Sequence, residues 1–588
     1  MKRIRSIFLF VLLTNTFLTH AEQVFPPPTW KDQPNPLASP DAEIGGEISI
    51  FVAQYPKSFN YYLENNVFAY QLFSLMFSTL LTIHPLSLEN EPGLAKQWTI
   101  SDNKRTFIFE LDNRATWSDG KAVTPEDVLW TYKTIMDPKN LTGPHKVSLE
   151  RFETPELVAS NKISFTAKEV HWKNLLALGS FYILPKHAFE KIDFNKINFE
   201  FPVVSGLYQI QSIQEGQSVQ LKRRDGWWNR TAERFKGTGN FATLDFRFYA
   251  ERESAYEAFK KGNIDLLTVY TSHRWVQQTQ GEKFDKNWIV KQAIYNYDPI
   301  GFQGFAMNLR RKPFDDINIR KALAHLLDRE KMNETIMHNQ YFLHRSYYED
   351  LYGKKISCPN PIFNFDKDKA RQLLKKAGWE ANPKTGILEK GKRPFTITFL
   401  TRSATAEKFL VIYKEDLKDV GIQLEIDKKD WAAWARDMDE FNYDMTWAAW
   451  GASLWKDPES MWHSKEANRP SGSNITGFQD PRIDQLIEKQ KELFDIEQRH
   501  AIVRKIDHLL TKQVPYILLW GINYTRLLSW DKFGTPDTVL SKYGNEGSAY
   551  TYWWFDPDSE ADLKEAMKTD APLPSKPYKV VFDNEFEE

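Results

Sequence analysis

The chain of 588 residues contains a single cysteine, Cys358, and this scarcity excludes an internal disulfide. No apolar run is long enough to cross a bilayer, since the longest candidate covers only residues 7–18. The chain also lacks an excess of either charge, since 77 Lys and Arg residues nearly balance 78 Asp and Glu residues. Proteins that bind nucleic acids normally carry a basic stripe, so we expect no nucleic acid partner.

Signatures of common catalytic and metal sites are absent from the sequence as well: it contains no HExxH, no CxxC pair and no P-loop. GASLW at Gly451 begins like a nucleophile elbow, but Trp455 stands where that motif requires a second glycine. GTGNFA at Gly237 matches a dinucleotide fingerprint by letters only, because a predicted strand follows it instead of a helix. His338 and His344 are too far apart for one helical face, so we expect surface positions and no metal site. The sequence therefore predicts no catalytic residue and no cofactor.

The amino terminus has the pattern of an export signal. Basic residues within positions 2–5 precede the apolar run, and THA, ending at Ala21, is a small-x-small sequence of the kind that signal peptidase cuts. Residues 1–21 are therefore predicted to be a signal peptide, and the mature protein to be exported and soluble. Because no cysteine near the cleavage site can take a lipid, a periplasmic location is favoured.

Helical and extended patterns alternate along the rest of the chain. EISIFVA, after Gly45-Gly46, predicts a strand. Thr124 is a good N-cap for a helix over 125–135, because Pro125 suits the first helical position. Further helices are predicted after Asp366 and Asp480 and before Gly421, the last one followed by a strand. This alternation predicts an α/β fold with sheets covered by helices.

The stretch TWAAWGASLWKDPESMW, from Thr446 to Trp462, concentrates tryptophans beside a glycine and a carboxylate. Core packing is one interpretation, because Trp447 and Trp450 fit a helix-like spacing. A ligand wall is the other, since indoles give flat, stiff contact area and Gly451 would let a guest approach the backbone. Local patterns alone favour the core.

Four longer segments occur in a characteristic order. LAKQWTISDNKRTFIFELDNRATWSDGKAVTPEDVLWTYKTIMDP is followed by FAMNLRRKPFDDINIRKALAHLLDRE, DKDKARQLLKKAGW and LKDVGIQLEI, at 94–138, 305–330, 366–379 and 417–426. Together they resemble the family 5 extracellular solute-binding proteins, the peptide, dipeptide and nickel binders of ABC importers. WGASLWKDPESMWHS, SGSNITGF and YTYWWFDP are most similar to the microcin C and oligopeptide-binding subgroup.

The resemblance implies a two-lobe periplasmic binding protein fold of class II, with mixed sheets, a two-strand hinge and an extra subdomain in the first lobe. It places lobe I at 22–66, 203–303 and 518–588, the extra subdomain at 67–202, and lobe II at 304–517. We expect the lobes to close around a solute. Closure gives specificity without catalysis, because only ligands whose polar groups find hydrogen-bond partners in the closed cleft bind tightly. We accordingly expect a monomer that is not an enzyme.

Within this family the tryptophan-rich stretch faces the cleft, so we predict pocket roles for Trp450 and Trp455. The candidate ligand-binding set is completed by Trp447, Gly451, Ser453, Asp457 and Tyr55. Peptide-binding relatives hold the ligand's α-ammonium with an aspartate shortly after the Trp-Gly pair, whereas residues 452–454 here contain none. Asp457 either replaces that aspartate or caps a helix, and the second role is favoured because Pro458 follows it.

The function implied is a receptor that delivers a peptide or peptide-like solute to the permease subunits of an ABC transporter in the inner membrane. An oligosaccharide ligand stays open, because indoles also stack on sugar faces. Nickel is disfavoured, since the sequence has no His-rich site. The alternative from another class is a secreted hydrolase of carbohydrate or peptide substrates, which turnover would distinguish.

We predict that the chain is cleaved after Ala21 during export, because the basic start, the short apolar run and the THA ending are the features that signal peptidase requires. Amino-terminal sequencing of periplasmic protein should therefore begin at Glu22. Recovery of the full chain from Met1 in the membrane fraction would contradict this prediction.

Overall fold

Three large sheets form the framework of the computed structural model, which describes residues 23–64, 66–196, 200–201 and 203–586. The largest is an eight-stranded mixed sheet whose strands, in spatial order, are Lys579–Val581, Ile289–Tyr295, Thr525–Trp530, Leu266–Thr268, Gly45–Val52, Phe241–Phe248, Ser218–Arg223 and Tyr208–Gln214. Gly45–Val52 is parallel to both of its neighbours, and most other pairs are antiparallel. This sheet therefore joins strands from both ends of the chain and from its middle.

A five-stranded antiparallel sheet packs onto the same core. Its strands, in spatial order, are Gln23–Phe25, Ala95–Ile100, Thr106–Leu111, Lys162–Thr166 and Glu156–Ala159. Phe107 and Phe109 alternate onto its buried face and belong to one hydrophobic core with Ile48 and Leu244 of the eight-stranded sheet. We call these two sheets and their helices the first lobe.

The second lobe is built on another mixed five-stranded sheet. Its strands, in spatial order, are Gln423–Lys428, Thr396–Thr401, Met445–Trp450, Phe302–Met307 and Tyr516–Leu518. Aromatic and aliphatic side chains cover both faces of this sheet and form two separate cores, one around Phe399 and one around Trp462. Four small sheets pair Phe342–Leu343 with Trp520–Gly521, Glu380–Ala381 with Leu388–Lys390 and Arg393–Pro394, Phe533–Gly534 with Trp554–Phe555, and Leu81–Ile83 with Asn90–Pro92.

Helices cover the sheets, as expected when each sheet must bury its apolar faces. The α-helices are Val67–Met76, Pro125–Met136, Gly143–Leu149, Lys173–Ser180, Lys186–Phe189, Arg252–Lys260, Glu282–Asp285, Ile317–His325, Arg329–Thr335, Lys367–Lys376, Ala404–Lys418, Trp431–Asp439, Glu459–Trp462, Pro481–Lys491, Ile496–Gln513, Ala549–Tyr552 and Pro557–Thr569. Within the described ranges, no helix combines the length and apolar character needed to cross a membrane.

The chain crosses between the lobes twice. It leaves the eight-stranded sheet after Ile289–Tyr295 and enters the second lobe at Phe302–Met307, and it returns from Trp520–Gly521 to Thr525–Trp530. Residues 296–301 and 522–524 therefore make the two connections. Asn296 fixes the first one, because its side-chain amide donates to the carbonyl oxygens of Ser541 and Gly544, both at 2.7 Å.

The α/β fold with two lobes is confirmed, as are the helices that the capping residues predicted. Thr124 precedes the helix Pro125–Met136, and the Asp366 and Asp480 carboxylates accept amide hydrogens at the starts of Lys367–Lys376 and Pro481–Lys491. The helix-like spacing of Trp447 and Trp450 was misleading, because both residues lie on a strand. The lobe and subdomain boundaries stay predictions, and the signal peptide lies outside the described residues.

Candidate functional site

A cavity of about 1330 Å³ opens between the two lobes. Residues 270–273, which follow the strand Leu266–Thr268, form its wall in the first lobe. Helix Trp431–Asp439, strand Met445–Trp450 and the start of helix Ala404–Lys418 contribute most of the opposite wall. The volume is large enough for a ligand of several residues, because sites for drug-sized molecules usually occupy roughly 300 to 1,000 Å³.

Two stacked indoles form a platform in this cavity. Trp431 and Trp434 are three positions apart on one helix, which places them on the same face, and their ring centroids are 5.4 Å apart at 29°. The Arg402 guanidinium lies over both rings, 4.7 Å and 5.2 Å from their centroids. Trp431 remains 62 % exposed although it is the largest kind of apolar side chain, which is typical of a surface that awaits a partner.

Trp447 and Trp450 also line the cavity, and both are held by hydrogen bonds. The Trp447 indole donates to Gln303 Oε1 at 3.1 Å, and the Trp450 indole donates to the Tyr516 hydroxyl at 3.2 Å. Trp447 additionally meets Trp520 edge to face, with ring centroids 5.7 Å apart. These contacts fix the orientation of both rings, so the wall is formed before any ligand arrives.

The strand that carries these two tryptophans has a free edge. Along one side, residues 445–450 pair with Phe302–Met307 over their whole length. On the other side the strand Thr396–Thr401 pairs with Met445 and Thr446 only. Within the part of the chain that the structure describes, residues 447–450 therefore have no strand partner on the side of Thr396–Thr401, and they line the cavity.

The cavity wall of the second lobe carries charges of both signs. Arg402, Lys408 and Asp439 lie in it. Tyr270 connects the main cavity to a smaller one of about 230 Å³ beside the chain crossings, which holds Asp298 and Glu546. The Tyr270 hydroxyl donates to Glu546 Oε1 at 3.3 Å. Burial, and then the negative charges of Glu546 and Asp350, raise the pKa of Asp298 to about 7.

The structure brings only part of the predicted site together. Trp447 and Trp450 line the cavity, whereas the remaining five predicted residues are not in its wall: Gly451, Ser453, Trp455, Asp457 and Tyr55. Asp457 accepts the Glu459 amide hydrogen at 3.2 Å at the start of helix Glu459–Trp462, and its other oxygen pairs with Lys173 of the first lobe.

Three of the remaining predicted residues lie just beyond the strand, and one lies in the first lobe. Gly451 and Ser453 are exposed, while Trp455 is half-buried and its backbone amide donates to Ser453 Oγ at 3.1 Å. Tyr55 packs its ring edge on Phe248, with centroids 4.8 Å apart, against the first-lobe core. Trp462, the last tryptophan of the stretch, is fully buried in the second-lobe core.

The histidine prediction was wrong for one residue. His344 is 2 % exposed and its Nδ1 lies 3.3 Å from a Glu349 carboxylate oxygen, so it is not a surface residue. No group of three or more potential metal ligands occurs within the described ranges.

Sequence reasoning missed the platform of Trp431, Trp434 and Arg402. The signal was present in DWAAWARDMD, where two indoles fall at helical spacing behind the Asp430 cap. The flanking charged residues are typical of an ordinary surface helix and concealed this signal. Exposed tryptophans, however, are unusual on a surface helix.

A comparison with protein families identifies the architecture. Residues 89–471 match the model of the bacterial extracellular solute-binding proteins, family 5 Middle. The chain belongs to this family. Its members bind solutes outside the cytoplasm, so the predicted family and the predicted role as a solute-binding protein are confirmed.

Individual relatives agree with this assignment. A protein of Brucella melitensis that is named as a binding protein is 28 % identical over 498 residues, which cover 78 % of this chain and 80 % of the relative. YejA of Escherichia coli is 25 % identical, covering 90 % and 92 % of the two chains. The peptidoglycan-binding protein YepA of Agrobacterium fabrum is 26 % identical, covering 88 % and 92 %.

Solved structures share the fold at lower identity. The oligopeptide-binding protein AppA of Bacillus subtilis, in complex with a nonapeptide, superposes with a TM-score of 0.66 at 20 % identity and covers 88 % of this chain and 100 % of its own. DppA of Helicobacter pylori, in complex with the peptide STSA, gives a TM-score of 0.66 at 18 % identity, with coverages of 87 % and 99 %. These structures extend the two-lobe fold over nearly the whole chain.

The raised pKa of Asp298 predicts a pH-dependent stability. Between about pH 4 and pH 7 the folded protein retains a proton on Asp298 that the unfolded chain releases, so this residue makes the fold less stable as pH rises through that window. Asp298→Asn removes the titration. The free energy of unfolding of the variant, relative to the unmodified protein, should therefore increase by about 3 kcal/mol from about pH 4.5 to about pH 7.5.

Denaturant titrations at both pH values measure this difference. Asp225→Asn is the matched control, because the Asp225 side chain is 96 % exposed. A difference for Asp298→Asn that stays constant with pH would show that its carboxyl group is already ionised at the lower pH.

Proposed function

We propose that the protein captures a peptide or peptide-like solute in the cavity between its lobes and delivers it, without turnover, to the permease of an ABC transporter. The observation that carries this proposal is the free edge of residues 447–450 inside the cavity. An unpaired strand edge presents backbone N–H and C=O groups in the spacing that an extended peptide matches. The neighbouring indoles supply apolar contact area for the side chains of such a ligand.

The charge distribution supports a zwitterionic ligand. Asp298 and Glu546 line the smaller cavity near the chain crossings, and Arg402 lies on the indole platform of the second lobe, whose wall also carries Asp439. A peptide carries an ammonium group at one end and a carboxylate at the other, so the acidic pair near the crossings and the Arg402 guanidinium on the platform favour one orientation. In this proposal Asp298 and Glu546 take the role of the aspartate that is missing from residues 452–454.

The names of similar proteins point to the same class of ligand. AppA and DppA were solved with peptides, and YepA is named for binding peptidoglycan, which contains both peptide and sugar. The stacked Trp431 and Trp434 rings suit a sugar face as well as an aromatic side chain. We therefore include peptides that carry a sugar among the proposed ligands.

Closure of the lobes is supported by contacts that bridge them. Lys173 of the first lobe pairs with Asp457 of the second, and the Trp172 amide donates to the Lys491 carbonyl oxygen at 3.0 Å. The Arg499 guanidinium lies 4.3 Å from the centroid of the Trp172 ring. Contacts of this kind favour the state that encloses the ligand. The periplasmic location, the cleaved signal peptide and the monomeric state belong to the same proposal.

Removal of the platform should weaken binding without unfolding the protein. Trp434→Ala should reduce the affinity by roughly 2 kcal/mol or more, as expected for an aromatic residue at the centre of an interface. Trp462→Ala, the matched control, removes the same side chain from the core and should reduce the stability by about 3 to 5 kcal/mol while the folded fraction binds normally.

Native mass spectrometry of the purified protein identifies the copurifying solute, and calorimetric titration with that compound gives both affinities. Thermal melts give the stabilities. Recovery of the solute intact after incubation supports binding without turnover, whereas unchanged affinity in Trp434→Ala would remove the platform from the binding site.

Closure should be visible in solution. The radius of gyration should decrease when the solute is added, because binding favours the state that buries the ligand better. Lys173→Met removes the ion pair with Asp457 and should raise the solute concentration needed for this decrease. Small-angle scattering measures both effects. A radius that stays constant at saturating solute would argue against closure.

A further inference from the structure

A second cavity, of about 760 Å³, lies within the first lobe and shares no lining residue with the cleft. Its walls come from distant parts of the chain, namely residues 61–62, 70–83, 93, 135–149, 177–182, 206–208, 227–239 and 550–551. Its volume is within the range of small-molecule sites. Tyr70, which is 49 % exposed, and the exposed Ser148 and Ser180 form its opening.

Aromatic rings in mutual contact form one wall of this cavity. Tyr61 is at the centre of the group, with ring centroids 4.5 Å from His145, 5.4 Å from Tyr70 and 6.0 Å from Tyr182. The rings meet edge to face or at a tilt, which keeps ring faces available for stacking. His145 is fixed in this arrangement, since its Nε2 lies 3.1 Å from the Tyr61 carbonyl oxygen.

The lining is electrically neutral. Among the described residues that line this cavity there is no Asp, Glu, Lys or Arg. Burial lowers the pKa of His145, so the imidazole is uncharged near neutral pH. Burial also raises the pKa of Tyr61 and of Tyr182, so both phenols keep their protons. A charged guest would lose its hydration in this cavity without gaining a counter-charge, so the lining selects against ions.

The Asn229 carboxamide and the Trp228 indole are polar groups of the cavity lining that have no hydrogen-bond partner among the described residues. Asn229 is 4 % exposed and lines the cavity, yet its carboxamide makes no hydrogen bond to any residue that the structure describes. Two other polar groups of the lining are satisfied, because the Trp227 indole donates to the Ser205 carbonyl oxygen at 3.0 Å and Thr238 Oγ1 donates to that of Phe235 at 2.8 Å. Buried side-chain amides normally have partners, so the amide of Asn229 is suited to a guest.

We propose that this cavity, the first-lobe pocket, binds a small uncharged ligand that combines an aromatic ring with an amide-like edge. The ring stacks on the tyrosine wall around Tyr61. The edge pairs with Asn229, whose carboxamide offers a donor and an acceptor side by side. This site is independent of the cleft, so it adds a second ligand to the proposed function and does not depend on the identity of the first.

Three compounds of nearly equal shape test the proposal. Benzamide is neutral and has the required edge, benzoate is its anionic counterpart, and benzamidine is its cationic counterpart. Ligand-observed NMR titrations of the full-length mature protein give the Kd of each. We expect benzamide to bind at least about tenfold more tightly than either charged compound, because neither ion finds a counter-charge in the pocket.

Two variants place the binding in the first-lobe pocket. Asn229→Leu keeps the volume and removes the amide, and Ser148→Trp fills the opening from an exposed position that the fold tolerates. Each should weaken benzamide binding at least about tenfold and leave the affinity for the cleft solute unchanged. Trp434→Ala, in the cleft, should leave benzamide binding unchanged.

Equal affinities for the three compounds, or benzamide binding that survives both pocket variants, would overturn the proposal. So would the absence of benzamide binding at millimolar concentration. Failure of the cleft function would appear separately, as absent solute binding in the unmodified protein.

Discussion

A single buried guanidinium holds the two walls of the cleft in register. Arg526 is 1 % exposed and lies on the strand Thr525–Trp530, directly after the second chain crossing. It donates to the carbonyl oxygen of Tyr270 at 3.2 Å in the first-lobe wall and to that of Gln340 at 3.1 Å in the second lobe. No carboxylate among the described residues pairs with it, so these carbonyl groups and the nearby Tyr341 ring, 4.9 Å from the guanidinium, must stabilise the charge.

The consequence of this arrangement is a site assembled from parts that neither lobe possesses alone. Backbone edge and indoles come from the second lobe, while Tyr270 and the acidic residues near the crossings come from the first. A ligand that spans the cleft must satisfy both sets of groups at once. Selectivity therefore depends on the distance and angle between lobes as much as on any one side chain, so the geometry of the cleft can discriminate between similar solutes.

Local structure was predictable because its causes are local. Caps at Thr124, Asp366 and Asp480 determine where helices begin, and a few adjacent residues contain that information. The position of Asp457 was harder, because its partner Lys173 is remote in sequence and belongs to the other lobe. A carboxylate before a proline looks the same whether it binds a ligand, caps a helix or bridges two lobes.

The tryptophans illustrate the same limit. Trp447, Trp450 and Trp462 belong to one short stretch, yet two line the cavity and the third is fully buried in the core. Strand direction, the end of a neighbouring strand and the path of the following loop decide between these outcomes. All three depend on tertiary structure, so composition could indicate that some rings line a cavity but could not say which.

The order of strands along the chain has a consequence for how the molecule reaches its final form. The sheet of the second lobe is complete once residues 302–518 are present. The eight-stranded sheet is complete only when Lys579–Val581 is also present, because this strand pairs with Ile289–Tyr295 at its edge. A chain synthesised or threaded from its amino end thus finishes the later lobe before the earlier one. Contacts of such long sequence separation form slowly, so the first lobe spends the longer time with unpaired strands and is the half that most needs protection from aggregation.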